Sequence, residues 1–331
     1  MASPLAKVNK TSEIISRYGI FLVLVLMILV ISIIKPQFLS ANNIFNVITQ
    51  SSIYGIMALG VTVIIIAKGI DLSLGSMLAF SGVVSASLAQ VVDATNKLYP
   101  GLGEMPLIVP IMAALIVGTL MGAINGWLIA KTGIPPFIAT LGMMTIVRGF
   151  ALIYSKGKPV SDLLPAYKLI GGKIFGIIPV PVIFYLIVAL ITFVILNYTR
   201  LGKSAYALGA NINAAEVAGI NISRSIILIY SYAGLLCGVA AIVFSGRVGS
   251  VNPGAAVGYE LTAIASTTIG GTSQSGGIGK VSGAVIGALV LGVLRNALTL
   301  LGVDAYWQQV TEGAIIIGAV VIDMRKNAKK K

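Results

Sequence analysis

The sequence contains no histidine and a single cysteine, Cys237. Without histidine the commonest metal ligand and the ordinary neutral-pH proton shuttle are missing, so zinc sites and Ser-His-Asp catalysis are excluded. One cysteine cannot close a disulfide framework, which removes the small secreted scaffolds. Charge is scarce as well. Only 10% of residues are charged, against roughly 25% in an ordinary soluble domain. No polar stretch is long enough to fold as a soluble domain; the longest are 156–178 and 199–224. Nucleotide-binding signatures are absent too. Gly202-Lys203-Ser204 ends like a phosphate-cradling loop, but Asn197 stands at the place of its first glycine, and Gly279-Lys280 runs into Val281. Any ATP is therefore hydrolysed elsewhere, and the chain is expected to carry no catalytic residue, no metal and no cofactor of its own.

What is abundant is apolar sequence. Hydrophobic residues make up 57% of 331, and the mean hydropathy is +0.99. A soluble fold of this size could not cover so much apolar surface. The fold class expected is all-α, a polytopic membrane protein of about ten transmembrane helices. A bilayer core needs ~20 apolar residues per helix, and runs of this kind cover 18–34, 44–67, 72–92, 106–130, 137–155, 180–198, 225–246, 259–270, 281–301 and 306–322. No small-residue cleavage site follows the first run, so it reads as a retained span rather than a signal peptide. Segment 259–270 is too short to cross alone and reads as a broken or re-entrant helix. If it does not cross, the count falls to eight or nine.

The net charge of +13 is informative through its placement. With the N-terminus inside, the inner segments collect Lys7, Lys10, Arg17, Lys68, Lys131, Arg200, Lys203, Arg224, Lys280 and the cluster Arg325, Lys326, Lys329, Lys330 and Lys331. The outer segments hold Lys35, Lys97, Lys156, Lys158, Lys168, Lys173 and Arg247. The bias of roughly two to one places both termini in the cytoplasm. It reflects topology and membrane lipid, and implies no nucleic-acid partner. The whole chain, 1–331, reads as one permease domain. A first half covers 18–198 and a second half 225–322, joined by a cytoplasmic loop at 199–224 and ending in a basic tail at 323–331.

The halves echo each other. Gly69-Ile70-Asp71-Leu72-Ser73 matches Gly258-Tyr259-Glu260-Leu261-Thr262, and Gly122-x-x-Asn125 matches Gly292-x-x-x-Asn296. Under the expected topology the two sets start from opposite sides, as in inverted-repeat transporters. Short glycine-anchored echoes also arise by chance in a chain with 38 glycines. Glycines four residues apart (Gly118/Gly122/Gly126, Gly234/Gly238, Gly283/Gly287) read as close helix packing. The run Gly270–Gly279 reads as a structural turn rather than a phosphate site. Asp71 reads as a cap on the third span at the cytoplasmic edge.

Within 199–224, Asn213 followed by Glu216 reads as a capping box, opening a short helix over 214–218 that stops at Gly219. Such a helix is either a surface connector or a coupling element that seats in a separate motor protein. The coupling residues expected are Arg200, Gly202, Lys203, Asn211, Ala214, Ala215, Glu216 and Gly219. Polar residues inside spans are the candidates for a solute passage: Asn125, Thr140, Arg148, Glu260 and Asn296. Arg295, Thr49-Gln50-Ser51-Ser52 and Gln308-Gln309 stand beside them. The alternatives are structural: interhelical hydrogen bonds for the asparagines, an ion pair of Arg148 or Arg295 with Glu260 or Glu312, and an interfacial anchor for Tyr306 and Trp307. Asp71, Glu260 and Glu312 lie near span ends, which argues against an ion-coupled carrier without removing it.

A resemblance emerges from residues taken in order: 38–44, Gly69-Ile-Asp-Leu-Ser-Leu-Gly75, Pro136-Phe-Ile-Ala-Thr-Leu-Gly142, Thr199-Arg-Leu-Gly-Lys, Leu208-Gly-Ala-Asn211, Ala214-Ala-Glu-Val-Ala-Gly-Ile220 and Gly270-Gly-Thr-Ser through Gly276-Gly-Ile-Gly279. The sequence resembles the membrane permease subunit of ATP-binding-cassette (ABC) sugar importers of the ribose/galactose/xylose type. It departs at Thr262, where many relatives read Glu-Leu-Asp. The resemblance implies a permease in the inner (plasma) membrane of a prokaryote. It also implies three partners: a cytoplasmic ABC ATPase that binds the ATP, an extracytoplasmic sugar-binding protein, and a second permease copy or a paralogue. Relatives of this type also carry nucleosides or branched-chain amino acids, so those solutes remain alternatives, as does an ion-coupled secondary transporter.

Overall fold

The computed structural model describes residues 10–328. Lys7, Lys329, Lys330 and Lys331, expected on the inner side, lie outside the described residues, as do the side chains of Lys10, Arg17 and Lys326. Each of the ten apolar runs is a helix. They are α1 (Lys10–Ile34), α2 (Ala41–Ile66), α3 (Leu74–Leu88), α4 (Ile108–Thr132), α5 (Pro136–Ser155), α7 (Val180–Tyr198), α10 (Ile222–Val248), α11 (Tyr259–Ile269), α12 (Val281–Leu300) and α13 (Ala305–Ala328). Between them lie the short α6 (Pro165–Lys168), a hairpin of β1 (Lys173–Ile174) and β2 (Ile178–Pro179), and two helices in the expected loop, α8 (Arg200–Ala210) and α9 (Ile212–Val217). Among the described residues, seven helices are long and apolar enough to cross a membrane. The last helix runs on to Ala328, so 323–328 are helical and continue α13.

Local chemistry sets many of the boundaries. Ser40 Oγ accepts the Asn43 amide at the start of α2, and Asn221 Oδ1 accepts the Arg224 amide at the start of α10. Pro136 opens α5, where its missing N–H costs nothing. Gly133 and Gly249 close α4 and α10 in the left-handed conformation.

Two helices are too short to span. At 1.5 Å per residue α3 is about 22 Å long and α11 about 16 Å, against a hydrocarbon core of about 30 Å. Each follows a full-length helix after a non-helical return, 67–73 for α3 and 249–258 for α11. They meet N-terminus to N-terminus inside the bundle, where Gly75 faces the Glu260 carboxylate and the Ala256 carbonyl with no room for a Cβ. The contacts then follow a two-fold scheme. Helix α4 packs on α3 and α10, while α12 packs on α11 and α2; α5 packs on α3, and α13 on α11. The sets α2–α5 and α10–α13 thus occupy corresponding places.

The tightest seam joins α4 to α10. Gly118, Gly122 and Gly126 pack against Gly234, Gly238 and the backbone of Ile227 and Tyr230, so the two backbones touch without intervening side chains. Gly283 and Gly287 of α12 make the matching approach to Gly270 and Ser266. These glycines are packing residues, as their spacing implied. Gly122→Ala places a methyl group against the Tyr230 carbonyl and is expected to cost about 1–3 kcal/mol. Gly142→Ala on α5, with nothing within 4 Å of the added atom, is expected to be neutral or slightly stabilising. Thermal unfolding of the purified proteins in one detergent compares the two.

Candidate functional site

The two facing half-helices each present unpaired amide hydrogens inside the bundle, and an acid answers each. Asp71 Oδ1 accepts the Ser73 amide at 2.8 Å and the Ser73 hydroxyl at 2.6 Å. Asn125 of α4 donates to Asp71 Oδ2 at 3.1 Å and to Ser73 Oγ at 2.8 Å. On the other side Glu260 Oε1 accepts the Gly258 amide at 3.1 Å. Carboxylates at helix N-termini also offset the positive ends of the helix dipoles. Asp71 is not the expected cap of α3: the N-cap is Ser73, which Asp71 holds from two residues upstream, and Asp71 is fully buried.

The counterpart of Asn125 is Arg295, one residue before the position that the glycine-anchored echo suggested. Asn125 lies three residues after Gly122 and binds Ser73; Arg295 lies three after Gly292 and donates through Nη2 to Thr262 Oγ1 at 2.8 Å. Arg295 also pairs with Glu312 of α13, donates to Tyr54 Oη and lies over the Tyr54 ring at 4.7 Å. Thr262 donates in turn to Glu312 Oε1 at 2.5 Å. The first-half cluster is closed and buried, whereas this one faces a cavity.

The cavity has a volume of about 800 Å³ and lies between α2, α11, α12 and α13, against the end of α10. Its polar wall is formed by Gln50, Asn296, Gln308, Gln309, Arg295 and Glu312, with Arg247 at the α10 end. Tyr259 adds an aromatic face and stacks edge-on against Tyr54, ring centres 4.6 Å apart. Hydrogen-bonding side chains beside aromatic surface suit a hydroxylated solute. Of the five passage candidates, Asn296 alone lines this space, held by a reciprocal pair of hydrogen bonds with Asn43 at 2.8 and 2.9 Å. Asn125 is in the closed cluster. Thr140 returns its hydroxyl to the Pro136 carbonyl within α5. Arg148 clamps the carbonyls of Pro253 and Ala255 at 2.8 and 2.7 Å, holding the return segment 249–258. Glu260 turns toward Gly75 and away from the cavity. Tyr306 and Trp307 are exposed beside its rim, as interfacial anchors are. Arg247 and Tyr259 were missed. The first was read as a loop residue, and the second was hidden inside a motif whose acid drew attention.

At the opposite end of α2 lies the 199–224 segment, a hairpin of two helices. Thr199 Oγ1 accepts the Gly202 amide to start α8. The N-cap of α9 is Asn211, whose Oδ1 accepts the amides of Asn213 and Ala214 at 3.0 and 3.1 Å. Asn213, the expected cap, is its donor. The sequence signal misled because both asparagines precede a helix-forming run. Gly219, at φ +82°, ends the hairpin as expected. Arg200, Lys203, Asn211, Ala214, Glu216 and Gly219 are exposed, whereas Gly202 and Ala215 are buried. Gly202 lies against the Leu196 carbonyl. The hairpin's most projecting apolar side chain is Val217, 91% exposed, which no cap or charge signal marked.

The hairpin is tied to the bundle. Gly209 packs against the Ile66 carbonyl, and the Gly277 amide donates to that same carbonyl at 2.8 Å. Tyr206 Oη donates to the Gly279 carbonyl at 2.8 Å, and burial raises its pKa above the ordinary phenol value, so the donor keeps its proton near neutral pH. The turn between α11 and α12 is therefore structural, and its purpose is to hold α8 onto the end of α2.

Arg295→Ala and Glu312→Ala should each destabilise the protein. The double variant should fall short of their sum by about 1–2 kcal/mol, since both side chains keep some contact with solvent. Urea or thermal unfolding of the four proteins closes the cycle.

Comparison with known proteins follows these features along almost the whole chain. Residues 43–320 match the family model described as branched-chain amino acid transport system / permease component. The ribose import permease protein of Escherichia coli K12 is 40% identical over 310 residues, 92% of each chain. The galactose/methyl galactoside import permease protein of Haemophilus influenzae Rd is 36% identical over 330 residues, 98% of each chain. The ribose import permease protein of Bacillus subtilis 168 is 39% identical over 317 residues, 95% of each. No solved structure matches. The chain belongs to the family of transport-system permease components, as a multi-pass all-α membrane protein.

Proposed function

We propose that the chain is the membrane permease subunit of a prokaryotic ABC importer for monosaccharides of the ribose/galactose class. The cavity between α2, α11, α12 and α13 forms the outer part of the passage. Both termini are cytoplasmic, so the α8–α9 hairpin faces the cytoplasm and the cavity faces outward, toward a sugar-binding protein. The chain performs no covalent chemistry. A separate ATPase binds ATP, seats on the hairpin and changes the permease between outward- and inward-open forms. A second copy or a paralogous permease completes the transporter.

One observation carries this reading. A single helix, α2, contributes Asn46, Val47 and Gln50 to the cavity and ends at Ile66 against the hairpin, a length of about 39 Å. The motor's contact and the solute's contact thus share one element. The named activities of the relatives favour a sugar over the branched-chain amino acid of the family model's description, and the uncharged amide donors and acceptors of the cavity wall suit hydroxyl groups better than an aliphatic side chain. The division at 199–224 follows from the same reading, with the coupling residues on the hairpin's exposed surface.

Val217 is expected to insert into the ATPase. Val217→Arg changes a side chain that packs on nothing in this chain, so the fold should survive with an unchanged unfolding temperature. Co-purification from native membranes should recover an ATPase with the unsubstituted chain and lose it, roughly tenfold or more, with Val217→Arg. Equal recovery with both would remove the hairpin from the docking site. No ATPase with either would leave an ion-driven carrier as the better reading, which an ionophore would then stop.

A further inference from the structure

The cavity wall carries two guanidinium groups and one carboxylate. Arg295 is paired with Glu312. Arg247, at the end of α10, lines the same space, and among the described residues no carboxylate pairs with it and no acceptor takes its hydrogens. The titratable groups acting on it are the phenols of Tyr259 and Tyr54, uncharged at neutral pH. The other nearby acid, Glu260, turns toward α3. One positive charge is left uncompensated beside a polar cavity with low-dielectric walls, where a field is concentrated rather than screened.

We propose that Arg247 sets the charge preference of this cavity: it admits neutral hydroxylated solutes and anions and turns cations away. A fixed arginine in a narrow passage is an electrostatic barrier to protons and metal cations. An importer that opens toward the outside of an energised membrane needs such a barrier, because every proton or sodium ion passing with the sugar dissipates the membrane potential. Neutral sugars pay no electrostatic penalty and use the guanidinium as a hydrogen-bond donor. This rests on the cavity being the passage, but the charge itself can be read independently of transport.

The chain's single cysteine, Cys237, is buried, so an added thiol reports alone. Leu261 lines the cavity and is 45% exposed, and its side chain takes no part in the hydrogen-bond network. In the full-length Leu261→Cys protein reconstituted in liposomes, the rates of modification by an anionic (sulfonatoethyl) and a cationic (trimethylammonioethyl) methanethiosulfonate are compared, each normalised to a free thiol. The anionic reagent should react about tenfold faster, the low end of the range for charged clefts, because Glu312 already balances Arg295 and one net positive charge remains. Arg247→Gln should bring the ratio close to one, and Arg247→Lys should preserve it. A ratio near one in the Leu261→Cys protein itself, a preference that survives Arg247→Gln, or no reaction with either reagent would overturn the inference. Failure of the passage reads differently: modifying Leu261→Cys would then leave sugar uptake by the assembled transporter unaltered, whichever reagent reacted faster.

Discussion

Within a bilayer, backbone amide and carbonyl groups that lose their helical partners have no water to turn to. The two half-helices α3 and α11 break this rule twice at one point, bringing two N-termini together in the centre of the bundle. Everything around them answers that cost. Asp71 and Glu260 accept the amides nearest the two starts, Arg148 gathers the carbonyls of the return at 249–258, and Tyr230 donates to the Ile70 carbonyl at 3.0 Å in the return at 67–73. Glycine seams let α4 and α12 come close enough for Asn125 and Arg295 to reach the helix starts.

The two halves solve the same problem with different residues, and the difference separates scaffold from site. Asn125 is neutral and short, so its cluster with Asp71 and Ser73 lies fully inside the bundle. Arg295 is long and charged, and Thr262 cannot neutralise it. Its carboxylate comes from Glu312, on a helix with little of its surface covered by the rest of the chain. A charged pair is tolerated there because one side remains wet. The repeat thus supplies a rigid centre in one half and a solvated recess in the other.

Much of the architecture was legible because membrane helices announce themselves by length and polarity. All ten runs are helices, and the seam at Gly118, Gly122 and Gly126 follows from spacing alone. One half-helix was also visible, in the brevity of 259–270; the run 72–92 read as a full span, because the apolar residues flanking the 15-residue α3 extend the run at both ends. The recess was less legible. A polar residue within a span can be turned toward a neighbouring helix or toward a cavity, and its identity is the same in both cases. Asn125 and Glu260 turn toward neighbouring elements, Arg148 holds the return at 249–258, Thr140 bonds back within α5, and Asn296 both pairs with Asn43 and lines the cavity. Aligning Gly292 with Asn296 hid Arg295 as the counterpart of Asn125, since a shift of one residue rotates a helical side chain by about 100°, although its ion pair with Glu312 was among the readings the sequence offered. Val217 escaped for the opposite reason: an exposed valine is ordinary on a membrane protein until the fold places it at the tip of a polar hairpin.

Helix α2 has one further property with a mechanical consequence. It contains no proline, and the space beside its two glycines is filled, at Gly55 by the Tyr185 ring and at Gly60 by the Ala233 backbone. Sharp bends in helices arise at prolines, at glycine or serine pairs, or where a group intrudes into the hydrogen-bond ladder. The one serine pair, Ser51-Ser52, is buried and Ser52 Oγ bonds back to the Ile48 carbonyl at 2.8 Å, so α2 has no proline break and no open glycine along its length. A displacement at Ile66 is therefore carried toward Gln50 along one continuous helix, as rotation or translation rather than as a sharp bend. The hairpin and the recess thus lie at the two ends of one unbroken element.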